Sequence, residues 1–346
     1  MAFGRVTVRG STAVDVAPAL RVPVGVLGTG VAVPDRVVTN DELAQTLDTS
    51  DEWIVTRTGI RQRRFLEPGR TTSDLCVEAA ERALERSGLR AEDIDAIVLA
   101  TITPDQPLPS TALMVKERLG ARHALPIDLN QAACAGGVYA ILVGAHLLQS
   151  RDTRAVLAIG AEALSRLTDP EDRTTRVFFG DAAGAAVLGR TEEGYGLIAW
   201  DCGSLLSTSV QVPAGGSQRP HDHHTVAERL QYLKMDGRVV WNAATTALPQ
   251  TIRRAAEAAG VDVADIHHFF LHQANLNIIT EVMRTLGVPL ERAGITVDRL
   301  GNTGAATIYT VLDEALRARR VRRGELLAIA GIGAGFLWGS LIVRQQ

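Results

Sequence analysis

The sequence predicts an α/β protein made of two duplicated halves, and two observations carry that prediction. Residues 127–137 and 295–305 share one pattern, a short β-run, a tight turn and the start of an apolar helix. A helix, a glycine stop, an acidic turn and a buried strand also occur twice, with Gly88 in the first copy and Gly260 in the second. When the stretches 127–137 and 295–305 are superposed, at an offset of 168 residues, Asn302 aligns with Cys134.

Each half follows the predicted order β-α-β-α-β-α-β-β, with the seam near Tyr195. The predicted strands include three matching pairs, at 96–100 and 268–271, 155–160 and 326–331, and 182–189 and 336–343. Continuous apolar runs are typical of strands buried on both faces. The helices that begin at Cys134 and Asn302 are apolar almost all round, as is typical of buried helices. We therefore expect a layered protein with these two helices in the middle.

The predicted segments are an N-terminal extension (1–22), a first half (23–195) and a second half (196–346). The extension contains Arg5 and Arg9 and no sustained apolar run, so we expect a loose tail or an edge strand there, not a secretory signal. The longest apolar stretch, 326–336, is too short and too rich in glycine to span a bilayer. No membrane partner is expected.

Composition excludes several other classes of protein. Hydrophobic residues make up 46% of the chain and charged residues 22%, which is typical of a globular protein. The net charge of −3 argues against a nucleic-acid partner. The 3 cysteines are widely spaced and odd in number, which favours a reduced cytoplasmic protein over a disulfide framework or a zinc site.

Cys134 is the candidate nucleophile. It lies where a strand-to-helix turn opens a buried helix, and the partial positive charge of a helix N-terminus lowers the pKa of a thiol. Small neighbours are expected to leave room for a substrate beside the sulfur, namely Ala132, Ala133, Ala135, Gly136 and Gly137. The alternative is a buried, inert cysteine. We expect that alternative for Cys76 and Cys202.

His272 and Asn302 are the candidate partners of this cysteine. His272 ends a predicted strand in the second copy, so its ring can project into a cleft at the end of the sheet. A hydrogen-bonded structural histidine is the alternative, and Asn302 fits a turn or helix cap equally well. A cysteine and an asparagine on matching turns of a duplicated unit, with a histidine that follows a strand of the second copy, favour thioester chemistry.

The chain resembles the β-ketoacyl-acyl-carrier-protein synthase III family of the thiolase superfamily from about Val22 onward. The motifs that carry the resemblance occur in the expected order at 50–61, 132–136, 179–187, 272–275, 301–303 and 333–340. Six ordered motifs are far more specific than any single short one. The resemblance implies a thiolase-like fold, with two duplicated α/β halves in five α-β-α-β-α layers, and a homodimer.

The resemblance also implies a decarboxylative Claisen condensation in two stages. Cys134 would take an acyl group from acyl-CoA, with backbone N–H groups of Cys134 and Ala334 holding the oxyanion. His272 and Asn302 would then bind the thioester carbonyl of malonyl-CoA or a malonyl-acyl carrier protein. This reaction primes fatty-acid or polyketide synthesis. It implies no metal and no organic cofactor.

The same resemblance assigns residues to CoA and to the acyl chain. Trp53 and Arg173 would clasp the adenine, and Arg57 and Asn275 are further candidates for CoA contacts. A core aromatic is the alternative for Trp53. Leu108 lies where a bulky aromatic from the partner subunit closes the acyl pocket in many members, so we expect a primer larger than acetyl.

The chain departs from the family at the rim that docks the carrier protein. Asn277 replaces the usual Arg, and Trp241-Asn242 lies where Lys is common. A thinner basic rim weakens capture of an acidic carrier. Three alternatives follow. The chain could belong to a specialised pathway, use CoA thioesters as both primer and extender, or dock an atypical carrier protein.

Two other functions stay open. An acyltransferase on the same scaffold would pass the acyl group to an alcohol, amine or carrier thiol, with His272 as general base. A non-catalytic partner subunit is the second rival. The histidine cluster at 221–224 is expected to be a solvated loop without metal. The glycines at 25–30 have the wrong spacing for a dinucleotide loop.

Overall fold

The structure, a computed structural model, describes residues 20–130 and 133–346. Most of the predicted extension 1–22 and the predicted site neighbour Ala132 lie outside the described residues. The strands are β1 (Val24–Ala32), β2 (Val37–Thr39), β3 (Gln62–Arg64), β4 (Ala96–Ala100), β5 (Leu125–Leu129), β6 (Ala155–Ala163), β7 (Asp181–Arg190), β8 (Gly196–Ser204), β9 (Val210–Gln211), β10 (Lys234–Met235), β11 (His268–Leu271), β12 (Leu326–Gly333) and β13 (Leu337–Arg344). The helices are α1 (Asn40–Ala44), α2 (Asp51–Thr58), α3 (Thr72–Ser87), α4 (Thr111–Leu119), α5 (Gly136–Leu147), α6 (Arg173–Arg176), α7 (His223–Ala227), α8 (Gly237–Ala258), α9 (Leu276–Leu286), α10 (Val297–Leu300) and α11 (Thr307–Arg317).

Two mixed sheets form the frame of the protein. The first has strand order β1-β7-β6-β4-β5, with β4 parallel to both neighbours and β7 antiparallel to both of its neighbours. The second has order β11-β12-β13-β8, in which β11 and β12 are parallel. Every strand of the first sheet precedes Tyr195, and every strand of the second follows it. The assignment of the halves as separate domains stays a prediction.

The five predicted layers are present. One apolar cluster between the two sheets contains Val138 and Ile141 of α5 together with Ile308 and Tyr309 of α11. A second cluster packs α3 and α4 against the outer face of the first sheet. A third packs α8 and α9 against the outer face of the second sheet. The helices that follow Cys134 and Asn302 are therefore the central layer, as predicted. Among the residues described, no helix is long and apolar enough to cross a membrane.

The two glycines at the start of α5 serve helix packing, which corrects part of one expectation, whereas Ala133 does line the cavity beside Cys134. A Cβ atom on Gly136 would lie 2.7 Å from Cβ of Ala100. One on Gly137 would lie 2.5 Å from the carbonyl oxygen of Ala305. Contacts this short would force a backbone shift. These glycines let α5 approach the first sheet and the turn before α11, and do not leave room for a substrate.

The predicted β-run at 295–297 is wrong. Pairing in this region is limited to a single parallel bridge between Phe269 and Ala293, after which the chain enters α10. Gln273 supplies the reason, because its Oε1 accepts hydrogen bonds from the backbone N–H groups of Thr296 (2.9 Å) and the next residue (3.1 Å). A side chain thus binds the donors that a further strand would use.

The glycine-containing segment 25–30 is part of β1, which pairs antiparallel with β7. It is a buried strand and not a phosphate-binding loop. This agrees with the spacing argument made from the sequence.

Candidate active site

The turn that carries Cys134 joins β5 to α5. Residues 133–135 form one 3₁₀ turn that leads directly into the helix. Ala133 has φ +42°, in the left-handed region that residues with a Cβ atom rarely adopt. Strained backbone of this kind concentrates at functional sites. No sequence pattern indicated this strain.

Cys134, His272, Asn302 and Ala334 line one cavity of 140 Å³. The remaining walls are mostly apolar and come from α8, α9, the end of β12 and several loops, including Ile102, Leu164, Phe178, Phe179, Val240 and Leu248. The four groups come from separate stretches of the chain that meet between the two halves of the sequence. The structure therefore brings together Cys134 and Asn302, which the duplicated pattern selected, with His272 and with Ala334, which the family resemblance added.

Asn302 is oriented by its own turn. Its Oδ1 accepts a hydrogen bond of 2.9 Å from the backbone N–H of Gly304. Its backbone N–H donates to the carbonyl of Phe178 (2.8 Å), and its carbonyl accepts from Gly180 (3.0 Å). The carboxamide oxygen is thereby occupied, and Nδ2 is left as a donor next to the Cys134 thiol, with which the side chain hydrogen-bonds. Asn302 is both a turn residue and a cavity donor.

His272 extends β11 by one backbone hydrogen bond, from its N–H to the carbonyl of Ala330 (2.8 Å). The side chain is almost fully buried, with 4% of its surface exposed. Its Nδ1 lies 2.8 Å from Oγ1 of Thr307, so Nε2 is the nitrogen left for the cavity. Burial lowers the pKa of His272 to about 3, and the ring is therefore neutral at neutral pH.

The pKa of Cys134 is raised in the structure, against the low value expected from the sequence. Burial raises the pKa of this thiol to about 12, and the nearby carboxyl of Glu162 adds to the increase. The hydrogen bond with Asn302 acts in the opposite direction but is weaker. Removal of water from the sulfur outweighs the field of the helix terminus. The nucleophile thus starts as a thiol and needs a proton acceptor.

Glu162 is a site residue that the sequence analysis missed. It is fully buried in β6 and accepts hydrogen bonds from Thr103 Oγ1 (2.8 Å) and from the backbone N–H of Ile102 (3.2 Å). Burial raises its pKa to about 8. A Cβ atom on Gly304 would lie 2.6 Å from Cγ of Glu162, so this carboxyl lies directly under the Asn302 turn. The available signal was one acidic residue inside an otherwise apolar strand.

The residues predicted to bind CoA form one cluster. The guanidinium carbons of Arg57 and Arg173 lie 5.9 and 5.6 Å from the centre of the Trp53 ring. Trp53 is half-buried and packs against the apolar cluster of the second sheet, so it is both a core contact and an accessible ring. Arg173 also donates to the carbonyl of Asp48 (2.6 Å). Their role toward CoA stays a prediction.

Asn275 lines the cavity and connects it to this cluster. Its Oδ1 accepts from the backbone N–H of Asn277 (2.8 Å), which caps α9, and its Nδ2 donates to the carbonyl of Arg57 (3.0 Å). Asn277 itself donates to the same carbonyl (3.0 Å). The residue that replaces the usual Arg is therefore turned toward α2 and presents no charge.

The basic rim is thin in the structure as well. Arg284 forms an ion pair of 2.6 Å with Glu281 on the same helix. Trp241 lines the cavity and is 36% exposed, so the side chain at this part of the rim is an uncharged indole.

Leu108 does not line the cavity within the described part of this chain. Its side chain is 82% exposed at the protein surface. A contribution to an acyl pocket would therefore be made to a second copy of the chain, and that role stays a prediction.

Other candidate groups lie apart from the cavity lining. Cys76 is fully buried, as expected, whereas Cys202 is only partly buried, although burial raises its pKa to about 11. In the histidine cluster, the rings of His223 and His224 pack 3.9 Å apart and Asp222 caps α7. Within residues 20–130 and 133–346, no group of three or more His, Cys, Asp or Glu side chains is placed to hold a metal.

Comparison with known families gives two matches. The family described as 3-oxoacyl-[acyl-carrier-protein (ACP)] synthase III matches residues 127–205, and the family for its C-terminal part matches residues 256–345. The β-ketoacyl-[acyl-carrier-protein] synthase III of Desulfitobacterium hafniense (strain Y51) is 42% identical over 325 residues, covering 93% of this chain and 98% of that protein. The protein of the same name from Symbiobacterium thermophilum is 42% identical over 324 residues, with the same coverage.

Solved structures agree with these matches. β-Ketoacyl-[acyl carrier protein] synthase III from Thermus thermophilus has a TM-score of 0.86 at 39% identity, covering 93% of this chain and 99% of that one. The priming β-ketosynthase from the R1128 polyketide biosynthetic pathway has a TM-score of 0.86 at 34% identity, covering 95% and 99%.

Proposed function

Because the chain belongs to the 3-oxoacyl-[acyl-carrier-protein] synthase III family, we propose that it catalyses a decarboxylative Claisen condensation that primes fatty-acid or polyketide synthesis. One observation carries this proposal. The thiol of Cys134, the ring of His272 and the carboxamide of Asn302 line the same apolar cavity. A nucleophile, a proton acceptor and a neutral donor in one place match what such a reaction needs.

In the first half-reaction, Cys134 takes the acyl group from acyl-CoA. Neutral His272 accepts the thiol proton, the sulfur attacks the thioester carbonyl, and the bond from that carbon to the CoA sulfur breaks. The proton then passes to the CoA thiolate, because buried His272 is a much weaker base than a free thiolate. The backbone N–H groups of Cys134 and Ala334 are the proposed donors to the oxyanion.

In the second half-reaction, a malonyl thioester enters the same cavity. Loss of carbon dioxide leaves an enolate, whose oxygen receives hydrogen bonds from Nδ2 of Asn302 and from His272 when its Nε2 carries a hydrogen. The enolate carbon attacks the acyl carbonyl, the bond to the Cys134 sulfur breaks, and the thiolate regains a proton. No metal or organic cofactor takes part in this scheme.

We propose that the primer is larger than acetyl. The apolar side chains around the cavity favour an aliphatic acyl group. Leu108 of a second copy would complete the pocket with a flexible side chain in place of a bulky aromatic. Turnover of acetyl-CoA alone, with no use of longer or branched acyl-CoAs, would remove this part of the proposal.

The proposal also covers the carrier of the malonyl extender, the oligomeric state of the protein and its cellular location. The uncharged Asn277 and the paired Arg284 weaken attraction for an acidic carrier, which supports malonyl-CoA or an atypical malonyl carrier as the extender. The exposed edge strand β5 and the exposed Leu108 support a homodimer. The free cysteines support a cytoplasmic location.

An acyltransferase on the same scaffold is the second candidate, and the thin basic rim favours it. In that reaction an alcohol, amine or carrier thiol would attack the acyl-Cys134 carbonyl, with His272 as general base. Such an enzyme releases no carbon dioxide from malonyl thioesters. The oriented Nδ2 of Asn302 favours condensation, because an acyl transfer has no enolate to stabilise.

The test is release of labelled carbon dioxide from carboxyl-labelled malonyl-CoA in the presence of a panel of acyl-CoAs. We expect release that depends on acyl-CoA, and a loss of about 100- to 1,000-fold in kcat for Asn302→Asp, since a carboxylate removes the donor and repels the enolate. Gln218→Glu, an amide-to-carboxylate change at an exposed position outside the cavity lining, is the matched control and should keep full activity. Acyl transfer without any carbon dioxide would identify the acyltransferase instead.

A further inference from the structure

The hydrogen bond between His272 and Thr307 decides which ring nitrogen of His272 carries a hydrogen. Thr307 is fully buried at the first position of α11. Its hydroxyl oxygen lies 2.8 Å from Nδ1 of His272 and also 2.8 Å from the carbonyl oxygen of Gly304. Both distances are those of good hydrogen bonds.

A hydroxyl has one hydrogen to give to these two neighbours. The carbonyl of Gly304 can only accept, so a hydroxyl at 2.8 Å must donate to it; otherwise two oxygens would face each other with no hydrogen between them. The same hydroxyl then has only lone pairs left for His272. The contact to Nδ1 is favourable only if Nδ1 carries a hydrogen and donates it.

We propose that Thr307 is a positioning residue that holds neutral His272 in the tautomer with its hydrogen on Nδ1, so that Nε2 meets the cavity as a proton acceptor. This inference rests on the proposed function for its kinetic consequence, but the tautomer itself is a property of the free protein. It makes His272 ready to receive the Cys134 proton before any substrate is bound.

The proposal also specifies the step at which His272 takes up a proton from solvent, which is between acylation and condensation. In acylation, the thiol proton moves to Nε2 and leaves with the CoA sulfur, which returns His272 to the Nδ1–H form. To act as a donor in condensation, His272 then takes one proton from solvent, which the negative carboxylate of the malonyl group favours. That proton passes to the Cys134 thiolate when the new carbon–carbon bond forms and the carbon–sulfur bond breaks. One proton is consumed in each turnover.

The experiment is ¹⁵N NMR of the whole protein labelled at histidine, with His272→Asn identifying the resonances of His272. We expect the shift of a protonated nitrogen for Nδ1 and that of a bare nitrogen for Nε2. Thr307→Val, which keeps the shape and removes the hydroxyl, should populate the other tautomer and slow the acylation of Cys134 by about 10- to 100-fold. Thr307→Ser should restore both properties.

Thr280→Val is the matched control, because this exposed threonine donates to a carbonyl within its helix in the same way (2.9 Å) but touches no histidine ring. A bare Nδ1 in the wild-type protein would overturn the proposal, as would a Thr307→Val protein with unchanged spectrum and acylation rate. If Thr307→Val does not fold, the wild-type spectrum decides alone. Failure of condensation with an Nδ1–H tautomer would instead reject the proposed function and keep this inference.

Discussion

Three ionisable groups in or beside the cavity, Cys134, Glu162 and His272, are neutral at neutral pH. Burial raises the pKa of Cys134 to about 12 and that of Glu162 to about 8, and it lowers the pKa of His272 to about 3. All three shifts have the same physical cause, which is that an apolar site disfavours the charged form of any group. The reaction therefore begins with a proton transfer between neutral partners, and the first charge appears only when a thioester is present.

Glu162 makes the stability of the protein depend on pH. Its pKa is raised from 4.5 to about 8 in the folded state, so between these values the folded protein keeps a proton that the unfolded chain loses. The free energy of unfolding consequently falls as pH rises through this window and is flat above it. We expect Glu162→Gln, which cannot ionise, to remove most of this slope in urea unfolding between pH 5 and 9.

Glu117→Gln is the control for that measurement, because its side chain is 71% exposed. It should leave the pH dependence unchanged. Equal slopes for the wild-type protein and Glu162→Gln would show that Glu162 is ionised in the folded protein throughout this range.

At the residue scale, the sequence identified the groups that carry the chemistry but not those that orient them. Cys134 and Asn302 were found because they occupy matching turns of a repeated pattern, and His272 because it follows a buried strand of the second copy; glycine and apolar spacing make such turns and strand ends readable. Glu162 and Thr307 act through side-chain directions and contacts across the fold, which no local pattern records. The thiol pKa was mispredicted for the same reason, since burial is a property of the folded protein.

At the element scale, the central helices depend on close backbone contact. A Cβ on Gly137 would lie 2.5 Å from the Ala305 carbonyl and 2.8 Å from Ile308. We expect Gly137→Ala to destabilise the protein by about 1–3 kcal/mol, measured by urea unfolding, because helix α5 must move away from the turn before α11. Since that turn carries Asn302, carbon dioxide release from malonyl-CoA should also fall.

Gly216→Ala provides the comparison, because a Cβ there meets no atom within 4 Å. It should leave stability and activity close to those of the wild-type protein. Wild-type stability in Gly137→Ala would mean that the central layer is looser than the structure indicates.

Element order was predictable because the 3.6-residue and continuous apolar patterns are local properties of the chain. The error at 295–297 shows where this reasoning ends. Ile295 and the two residues after it have the composition of a strand, yet Gln273 takes up their backbone donors from a neighbouring segment. A hydrogen bond between a side chain and a backbone group distant in the sequence overrides the local preference for a strand. Such a bond cannot be recognised from the periodicity of the sequence.

At the scale of the whole molecule, the first sheet ends in an exposed strand. β5 pairs only with β4 in the described structure, and Leu125 at its start is 56% exposed. Such an edge is a natural site for pairing with a second copy. We expect light scattering to give twice the 37.0 kDa chain mass for the wild-type protein and a smaller mass for Leu125→Glu.

Val37→Glu, on the short strand β2, is the control and should not change the mass; Val37 is 38% exposed. A wild-type protein that is monomeric under the conditions of full activity would reject the homodimer. It would also reject the role of Leu108 in the acyl pocket of a second copy.

The central claim is that Cys134 carries the acyl group inside the shared cavity, and intact-mass analysis after incubation with a panel of acyl-CoAs tests it most directly. We expect the chain to gain the mass of one acyl group, mapped to the peptide that contains Cys134, with the gain abolished in Cys134→Ala and retained in Cys202→Ala. No gain with any acyl-CoA, or a gain that maps to Cys76 or Cys202, would contradict the account.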